Sequence, residues 1–126
     1  MTGATAEKYR KFVELLYKKT VSKELKWSVG FDSNIFVDIG LNQLLVRTGN
    51  NPHGEDLVVF EILNREHVRA DIFNDETLIG GGGKPQNFEN WFLLCQAVYD
   101  LGMRHATGAD DILDDMIMEL DDEIPF

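Results

Sequence analysis

Apolar residues recur along the chain at two spacings, and these spacings predict the order of helices and strands. Residues 5–19 carry apolar side chains at positions i, i+3, i+4 and i+7, which predicts an amphipathic helix with Thr2 or Thr5 as its cap. The apolar positions are Tyr9, Phe12, Val13 and Leu16. Most of the lysines and arginines of this stretch lie outside that row, so the predicted helix has one apolar face and one basic face.

Strand-like sequence begins at Trp27 and continues to Ile72. Short runs rich in apolar and β-branched residues, separated by turn residues, predict antiparallel strands. The predicted strands cover residues 35–39, 43–48, 57–63 and 68–72, with a further strand near Trp27. In the run 57–63, Val58, Phe60 and Ile62 are predicted to line one face. The run 68–72 alternates between apolar and polar residues, which predicts a strand with one solvated face.

Two helices are predicted after the strands. Residues 74–87 are predicted to form a loop that contains four consecutive glycines, and Asn87 is predicted to cap a helix that ends near His105. Thr107 and Gly108 separate this helix from a last one over residues 109–120. The last helix has apolar residues on one face and acidic residues on the other; its apolar positions are Ile112, Leu113, Met116, Ile117 and Leu120.

This order of elements predicts an α+β fold. We expect an antiparallel four- to five-stranded meander sheet that is covered by an N-terminal helix and two C-terminal helices. Residues 1–120 are predicted to form a single domain, and residues 121–126 an acidic C-terminal docking tip.

Charge is distributed unevenly. The net charge is −10, and residues 110–126 contain no Lys or Arg and eight acidic residues: Asp110, Asp111, Asp114, Asp115, Glu119, Asp121, Asp122 and Glu123. Such acidity argues against direct nucleic-acid binding through a broad electrostatic surface and favours a protein partner with a basic pocket. Residues 1–27 have a net charge of +4. The basic face of the first helix is predicted either to bind nucleic acid or an acidic partner, or to pair with the acidic end of this chain.

The candidate catalytic and metal-binding residues do not form a recognisable pattern. Cys95 is the single cysteine and lies within an apolar run, while His53, His67 and His105 have no ligand at metal-binding spacing. We therefore expect no enzymatic activity, no metal and no cofactor. The N-terminus has no apolar signal region and the apolar runs are too short to cross a bilayer, which predicts a cytoplasmic protein without membrane contact.

Two further motifs resemble ligand sites but lack required residues. Gly80–Gly83 followed by Lys84 suggests a phosphate loop, yet Leu78 replaces the first glycine of that pattern and Pro85 its Ser or Thr. The stretch 110–114 has the Asp-Asp-x-x-Asp pattern of diphosphate–magnesium sites, which require a large helical cavity. A flexible connector and a solvated acidic face are the predictions for these two stretches.

The last six residues form the most specific motif. Three acids precede an apolar pair and an aromatic ring: Asp121, Asp122, Glu123, Ile124, Pro125 and Phe126. This tip resembles the C-terminal tail of bacterial single-stranded DNA-binding protein (SSB), which docks on replication, recombination and repair proteins. The resemblance implies that Phe126 enters a pocket and its carboxylate meets a basic residue. It also implies that the three acids lie on a basic ridge and that Ile124 and Pro125 complete the apolar contact.

The resemblance to SSB is confined to the tip. SSB proteins have an oligonucleotide-binding barrel and a long Gly/Pro/Gln-rich linker, whereas here a predicted helix leads directly into the tip. The body resembles small uncharacterised bacterial and phage proteins that have Lys-Thr after an amphipathic helix and a Trp several residues later, here Lys19, Thr20 and Trp27.

These features predict a non-enzymatic interaction module. Its tip is expected to dock on a DNA replication or repair protein, with a phage or mobile element as the source. The alternative is an acidic protein of the antitoxin or immunity type that masks a basic site on its partner.

Overall fold

The α+β class is confirmed by the computed structural model, which describes residues 5–81 and 83–123. This part of the chain forms three α-helices and one five-stranded sheet. The helices are α1 (Ala6–Val21), α2 (Trp91–Thr107) and α3 (Ala109–Glu123), and the strands are β1 (Ser28–Val29), β2 (Ile35–Ile39), β3 (Asn42–Asn50), β4 (Asp56–Leu63) and β5 (Arg69–Asn74). Short 3₁₀ segments occupy Phe31–Ser33 and Asp75–Gly81.

The sheet is an antiparallel meander, as predicted. Its strands lie in the order β1-β2-β3-β4-β5, and each strand pairs with the next one along the chain. Gly40 has a φ of +63° in the turn between β2 and β3, a conformation that costs glycine little.

One face of the sheet and the helices α1 and α2 enclose the core. The buried positions alternate along β2 and β3, as expected for strands with one face towards helices. In β4 the four consecutive residues 57–60 are all buried, and Val58 and Phe60 face the core. From the sheet, the core residues include Ile35, Val37, Leu44, Val46, Val58, Phe60 and Phe73. From the helices, they include Val13, Leu16, Trp91, Leu94, Cys95 and Val98. Of the two C-terminal helices that were predicted to cover the sheet, α2 contributes to the core, whereas residues 111–121 of α3 are exposed.

The fifth strand does not place Ile72 on the core side as its alternation predicted, and it also contains a bulge. The register shifts between Ile62 and Leu63, which pair with Asp71 and Arg69, so that Ala70 is an extra residue in β5. Phe73 takes the core position opposite Phe60, so Ile72 pairs with Glu61 on the other face and its side chain is 42% exposed. Asp71 instead lies on the helix-covered side, where its Oδ2 accepts a hydrogen bond from the Tyr9 hydroxyl at 2.8 Å.

The segment after β5 is more ordered than the predicted loop. Leu78 is fully buried within the 3₁₀ helix Asp75–Gly81, which sequence periodicity did not reveal because the segment is too short to show it. The predicted cap of α2 was also wrong by three residues: the side chain of Asn90, not Asn87, accepts from the Leu93 N–H at 2.8 Å. The cap of α1 is Thr5, as predicted.

The motif residues Thr20 and Trp27 form a buried junction between α1 and the sheet. The Trp27 indole N–H donates to Thr20 Oγ1 at 3.1 Å, and the Thr20 hydroxyl donates to the Leu16 carbonyl at 2.7 Å. Thr20 is fully buried and Trp27 is 5% exposed. These two residues therefore have a structural role, in which a buried indole N–H is satisfied by a buried hydroxyl.

Replacing Thr20 by valine is expected to lower the free energy of unfolding by about 1–3 kcal/mol, because the buried Trp27 N–H loses its acceptor. Urea unfolding measures this change. The matched control is Thr107→Val, since the Thr107 hydroxyl also donates to a carbonyl four residues earlier but is exposed; its cost should stay within about 0.5 kcal/mol. Equal costs for the two variants would contradict the assigned role.

A glycine allows α2 to approach the sheet closely. A Cβ atom added at Gly102 would lie 2.6 Å from Ile35 Cδ1 and 3.1 Å from Trp27 Cδ2. Both neighbours are buried, so they have little room to move away. The close contact between α2 and the first strands is therefore possible because Gly102 has no side chain.

The variant Gly102→Ala is expected to destabilise the fold by about 1–2 kcal/mol, because overpacking outweighs the gain in helix propensity of about 1 kcal/mol. Thermal or urea unfolding checks the value. The second change Ile35→Val removes the clashing Cδ1 atom and should recover part of the loss in a double-mutant cycle. A stabilised single variant, or strictly additive costs, would refute this packing.

Candidate interaction surface

The helix α3 presents its apolar side chains to solvent. Every residue from Asp111 to Asp121 is exposed, although the helix is amphipathic. The exposed apolar side chains are Ile112 (53%), Leu113 (50%), Met116 (58%), Ile117 (48%), Met118 (65%) and Leu120 (59%). Single exposed apolar residues are common on protein surfaces, but a continuous row of them along one helix is typical of an interaction site.

The apolar and acidic residues of α3 occupy separate sides of the helix. At about 100° of rotation per residue, five of the apolar side chains fall within an arc of about 140°. These five are Ile112, Leu113, Met116, Ile117 and Leu120; we call them the apolar face of α3. The sixth, Met118, lies among the acids on the opposite side. A shallow depression beside the apolar face is lined by Ile112, Met116 and Leu120 together with Asp115 and Glu119.

The base of α3 is held by an ion pair with α2. Gly108 ends α2 in the left-handed conformation with φ of +69°, and α3 starts at the next residue. The Arg104 guanidinium donates to the Asp110 carboxylate across this junction. That hydrogen bond, together with the positive charge, holds the pKa of Asp110 below its ordinary value. The first acid of α3 is thus already paired, whereas the later described acids face solvent.

The predicted docking tip begins inside this helix. Asp121 is exposed in the last turns of α3, and the helix continues through Glu123, three residues past its predicted end at Leu120. The side chains of Asp122 and Glu123, and all of Ile124–Phe126, lie outside the described residues. The described part of the site is therefore the amphipathic helix that leads into the tip.

A second surface feature is a cleft of about 380 Å³ beside α1. Its residues come from α1, from the segment before α2 and from α2 itself: Lys11, Glu14, Leu15, Tyr17, Lys18, Gln86, Asn87 and Leu94. We call this the α1 cleft. Leu15 is 48% exposed, so the cleft offers apolar surface between two lysines. Sequence reasoning recognised the basic face of α1 but missed this apolar position within it.

The predicted pairing between α1 and the acidic end of the chain is not formed by the described residues. Their ion pairs join Lys19 to Glu24, Arg47 and Arg69 to Glu61, Arg65 to Glu66, and Arg104 to Asp110. None of these joins a base of α1 to an acid of α3. Any pairing made by the side chains of Asp122 and Glu123 or by residues 124–126 lies outside the described part of the chain.

The single cysteine is a core residue. Cys95 is fully buried, and burial raises the pKa of its thiol, an effect to which the nearby Asp75 carboxylate adds. A nucleophilic cysteine requires the opposite shift, because the thiolate is the reactive form. Within residues 5–81 and 83–123, no three His, Cys, Asp or Glu side chains are grouped to hold a metal ion.

Gly83, at the end of the glycine-rich stretch, contacts the first residue of α2. Gly80 and Gly81 end the 3₁₀ helix, and Gly83 has a φ of +76°. The Trp91 indole N–H donates to the Gly83 carbonyl at 3.2 Å. This contact fixes one end of the stretch to the start of α2.

A charged network on the opposite sheet face was not predicted from the sequence. Glu61 forms two ion pairs, one through each carboxylate oxygen: Oε2 lies 2.9 Å from Arg47 Nε, and Oε1 lies 3.5 Å from Arg69 Nη1. The side chain of Glu61 is only 17% exposed. Glu61 on β4 is a diagonal neighbour of Arg47 on β3 and of Arg69 on β5, so only the register of the three strands reveals the network.

Asp75 is a buried carboxylate with a structural hydrogen bond. It is 4% exposed, and its Oδ1 accepts from the Val58 N–H at 2.7 Å. Burial raises the pKa of Asp75 above its ordinary value, and the backbone hydrogen bonds oppose this shift. Because the folded state favours the protonated acid, Asp75 costs stability once the pH exceeds its raised pKa, and that cost disappears as the pH falls below the ordinary value.

The variant Asp75→Asn keeps an oxygen for the Val58 N–H and removes the buried charge. Its stability relative to the wild type is therefore expected to improve between about pH 4 and about pH 7. Urea unfolding at both pH values tests this, with Asp75→Ala as the variant that loses the acceptor and is destabilised at each pH. A difference between Asn and wild type that does not change with pH would contradict the assigned cause.

Comparison with family models, curated proteins and solved structures gave no match to this chain. Of the described helices, none combines the length and the apolar character needed to cross a membrane. The surface formed by α3 is therefore interpreted from its own geometry and charge.

Proposed function

We propose that this chain is a non-enzymatic protein-interaction module that docks through α3 and the following tip. The observation that carries the proposal is the exposure of the apolar face of α3, whose five side chains are 48–59% accessible. Placing such a face against an apolar groove removes it from water, which stabilises the complex by roughly 25 cal/mol for each Å² of apolar area buried. Amphipathic helices are commonly recognised in this way, through anchors at i, i+3, i+4 and i+7.

The charge of α3 specifies the chemistry of the partner. Residues 110–126 contain eight acids and no Lys or Arg, and the described acids after Asp110 form none of the ion pairs described above. A partner whose apolar groove is bordered by Lys or Arg would therefore complement α3 along its whole length. Complementary charge raises the association rate and excludes acidic competitors.

The sequence of the tip suggests that the partner is a DNA replication or repair protein. Ile124, Pro125 and Phe126 after an acidic run resemble the SSB tail, so we propose that a protein able to bind that tail is the partner. A phage or mobile-element protein that uses a host docking site in this way would have the same requirement for α3 and the tip.

A second candidate function is charge masking of a basic site, as in an antitoxin or immunity protein. It is favoured by the exposed acids Asp111, Asp114 and Asp115 on the side of α3 away from the apolar face. In that case the apolar face and Phe126 contribute little, and the acids contribute most of the binding free energy.

Displacement of a fluorescent SSB-tail peptide from a purified SSB-tail-binding repair protein tests the proposal, with the full chain as competitor. Removing Phe126 is expected to weaken competition more than tenfold, which corresponds to about 1.4 kcal/mol or more for a central aromatic anchor. Met116→Ser should also weaken it, because Met116 belongs to the apolar face.

The matched control for the helix is Met118→Ser, which removes an equally large and exposed side chain from the acidic side. It should leave competition unchanged. Replacing Asp110, Asp111, Asp114 and Asp115 together by Asn distinguishes the two candidate functions. If this variant fails to compete whereas removal of Phe126 and Met116→Ser have no effect, charge masking is correct and docking through α3 is wrong.

A further inference from the structure

We infer that α3 also recognises a second copy of this chain, by seating its apolar face in the partner copy's α1 cleft. The inference rests on the proposed role of α3 as a docking element, and it identifies a second copy of this chain as the partner of both the apolar face of α3 and the α1 cleft. Two such contacts, related by a two-fold axis, would join two copies into a closed dimer.

The α1 cleft has the pattern of an amphipathic-helix receptor. Lys11, Glu14, Leu15 and Lys18 occupy positions i, i+3, i+4 and i+7 of α1 and therefore form one outward row. Within the described residues, neither lysine lies within ion-pair distance of a carboxylate. Leu15 lies between the two lysines on this row, the ring of Tyr17 also lines the cleft, and Glu14 is the one acid in it.

The spacing of charges on α3 matches the spacing of the two lysines. Lys11 and Lys18 are seven residues apart, which is about 10 Å along a helix. Asp114 and Asp121, both exposed, are also seven residues apart and lie on the edge of α3 next to Ile117. If Asp114 and Asp121 of one copy pair with the two lysines of the other copy's α1 cleft, the apolar face of α3 contacts Leu15 of that cleft.

The position of the cleft favours a second copy over the same chain. The cleft includes Leu94, about 21 Å along α2 from Gly108, where α3 begins. The α3 of the same chain would have to reverse at Gly108 to enter it, whereas here its residues 111–121 are exposed. A second copy can enter the cleft without any change at this junction.

Direct pairing of two α3 helices is the weaker arrangement. Each α3 carries acids along both borders of its apolar face and no Lys or Arg, so two copies would bring like charges together. Contact between α3 and the α1 cleft replaces this repulsion by attraction. In the resulting dimer α3 is covered, so dimerisation and partner docking compete for the same surface.

Sedimentation velocity of the full chain over about 1–300 μM tests the inference. The wild type is expected to form a dimer in this range. Lys18→Glu in the cleft and Met116→Ser on α3 should each weaken the dimer at least tenfold, because each change acts on both contacts. Lys8→Glu, with the same charge change at an exposed site outside the cleft, and Met118→Ser are the matched controls and should dimerise as the wild type does.

Mixing the two weakened variants provides a second readout. The Lys18→Glu chain retains an intact α3 and the Met116→Ser chain retains an intact cleft, so one of the two contacts can form between them. Mixed dimers should exceed the dimers of either variant alone. Circular dichroism melting curves that match the wild type establish that each variant is folded.

A wild type that stays monomeric over this range would overturn the inference, as would a Lys18→Glu chain that dimerises as well as Lys8→Glu. Loss of dimer with Met116→Ser but not with Lys18→Glu would indicate pairing of two α3 helices and would also overturn it. The proposed docking function is judged separately, because Lys18→Glu should leave competition for the SSB-tail receptor intact or improve it.

Discussion

The rest of the structure depends on the packing of α1 and α2 over a single face of the sheet. This face and the two helices bury their apolar side chains together, and Trp27 and Gly102 set the distance between α2 and the first strands. Among the described residues, α3 takes no part in this interface, and its residues 111–121 are all exposed. The amphipathic helix is thereby left with its apolar face in water, which is an arrangement that a second molecule can relieve.

The two ends of the chain carry complementary chemistry on separate helices. The α1 cleft places Leu15 between lysines, while α3 places its apolar face between acids. Isolated helices as short as α3 are marginally stable in water, so its docking would also stabilise the helix itself. The Arg104–Asp110 ion pair and the Gly108 cap fix where α3 begins, and the acids further along remain available for a partner.

Local sequence patterns predicted much of the fold. The strand 35–39, the Thr5 cap and the inward row Val58, Phe60 and Ile62 follow from alternation and capping chemistry, and these are short-range effects. The orientation of β5 was not predictable in the same way, because only the register with β4 shows that Phe73, and not Ile72, faces the core. Buried Leu78 was missed because two adjacent apolar residues, Leu78 and Ile79, in a short segment establish no periodicity.

The candidate site was predicted only in part. Periodicity identified the apolar and acidic sides of α3, but the same pattern describes a helix that packs on its own core and one that packs on another molecule. Exposure of the apolar face, which decides between these, is a property of the tertiary structure. The Ile124–Phe126 part of the predicted tip lies outside the described residues, so its role remains a prediction from the resemblance.

Methyl NMR of the chain labelled at its methionines tests docking through the apolar face of α3, since Met116 and Met118 are close in sequence but lie on opposite sides of α3. If the apolar face docks, the Met116 methyl signal shifts when an SSB-tail-binding protein is added, while the signals of Met118 and Met103 stay in place. Equal shifts of Met116 and Met118, or no shift of Met116 when binding is saturated, would contradict it.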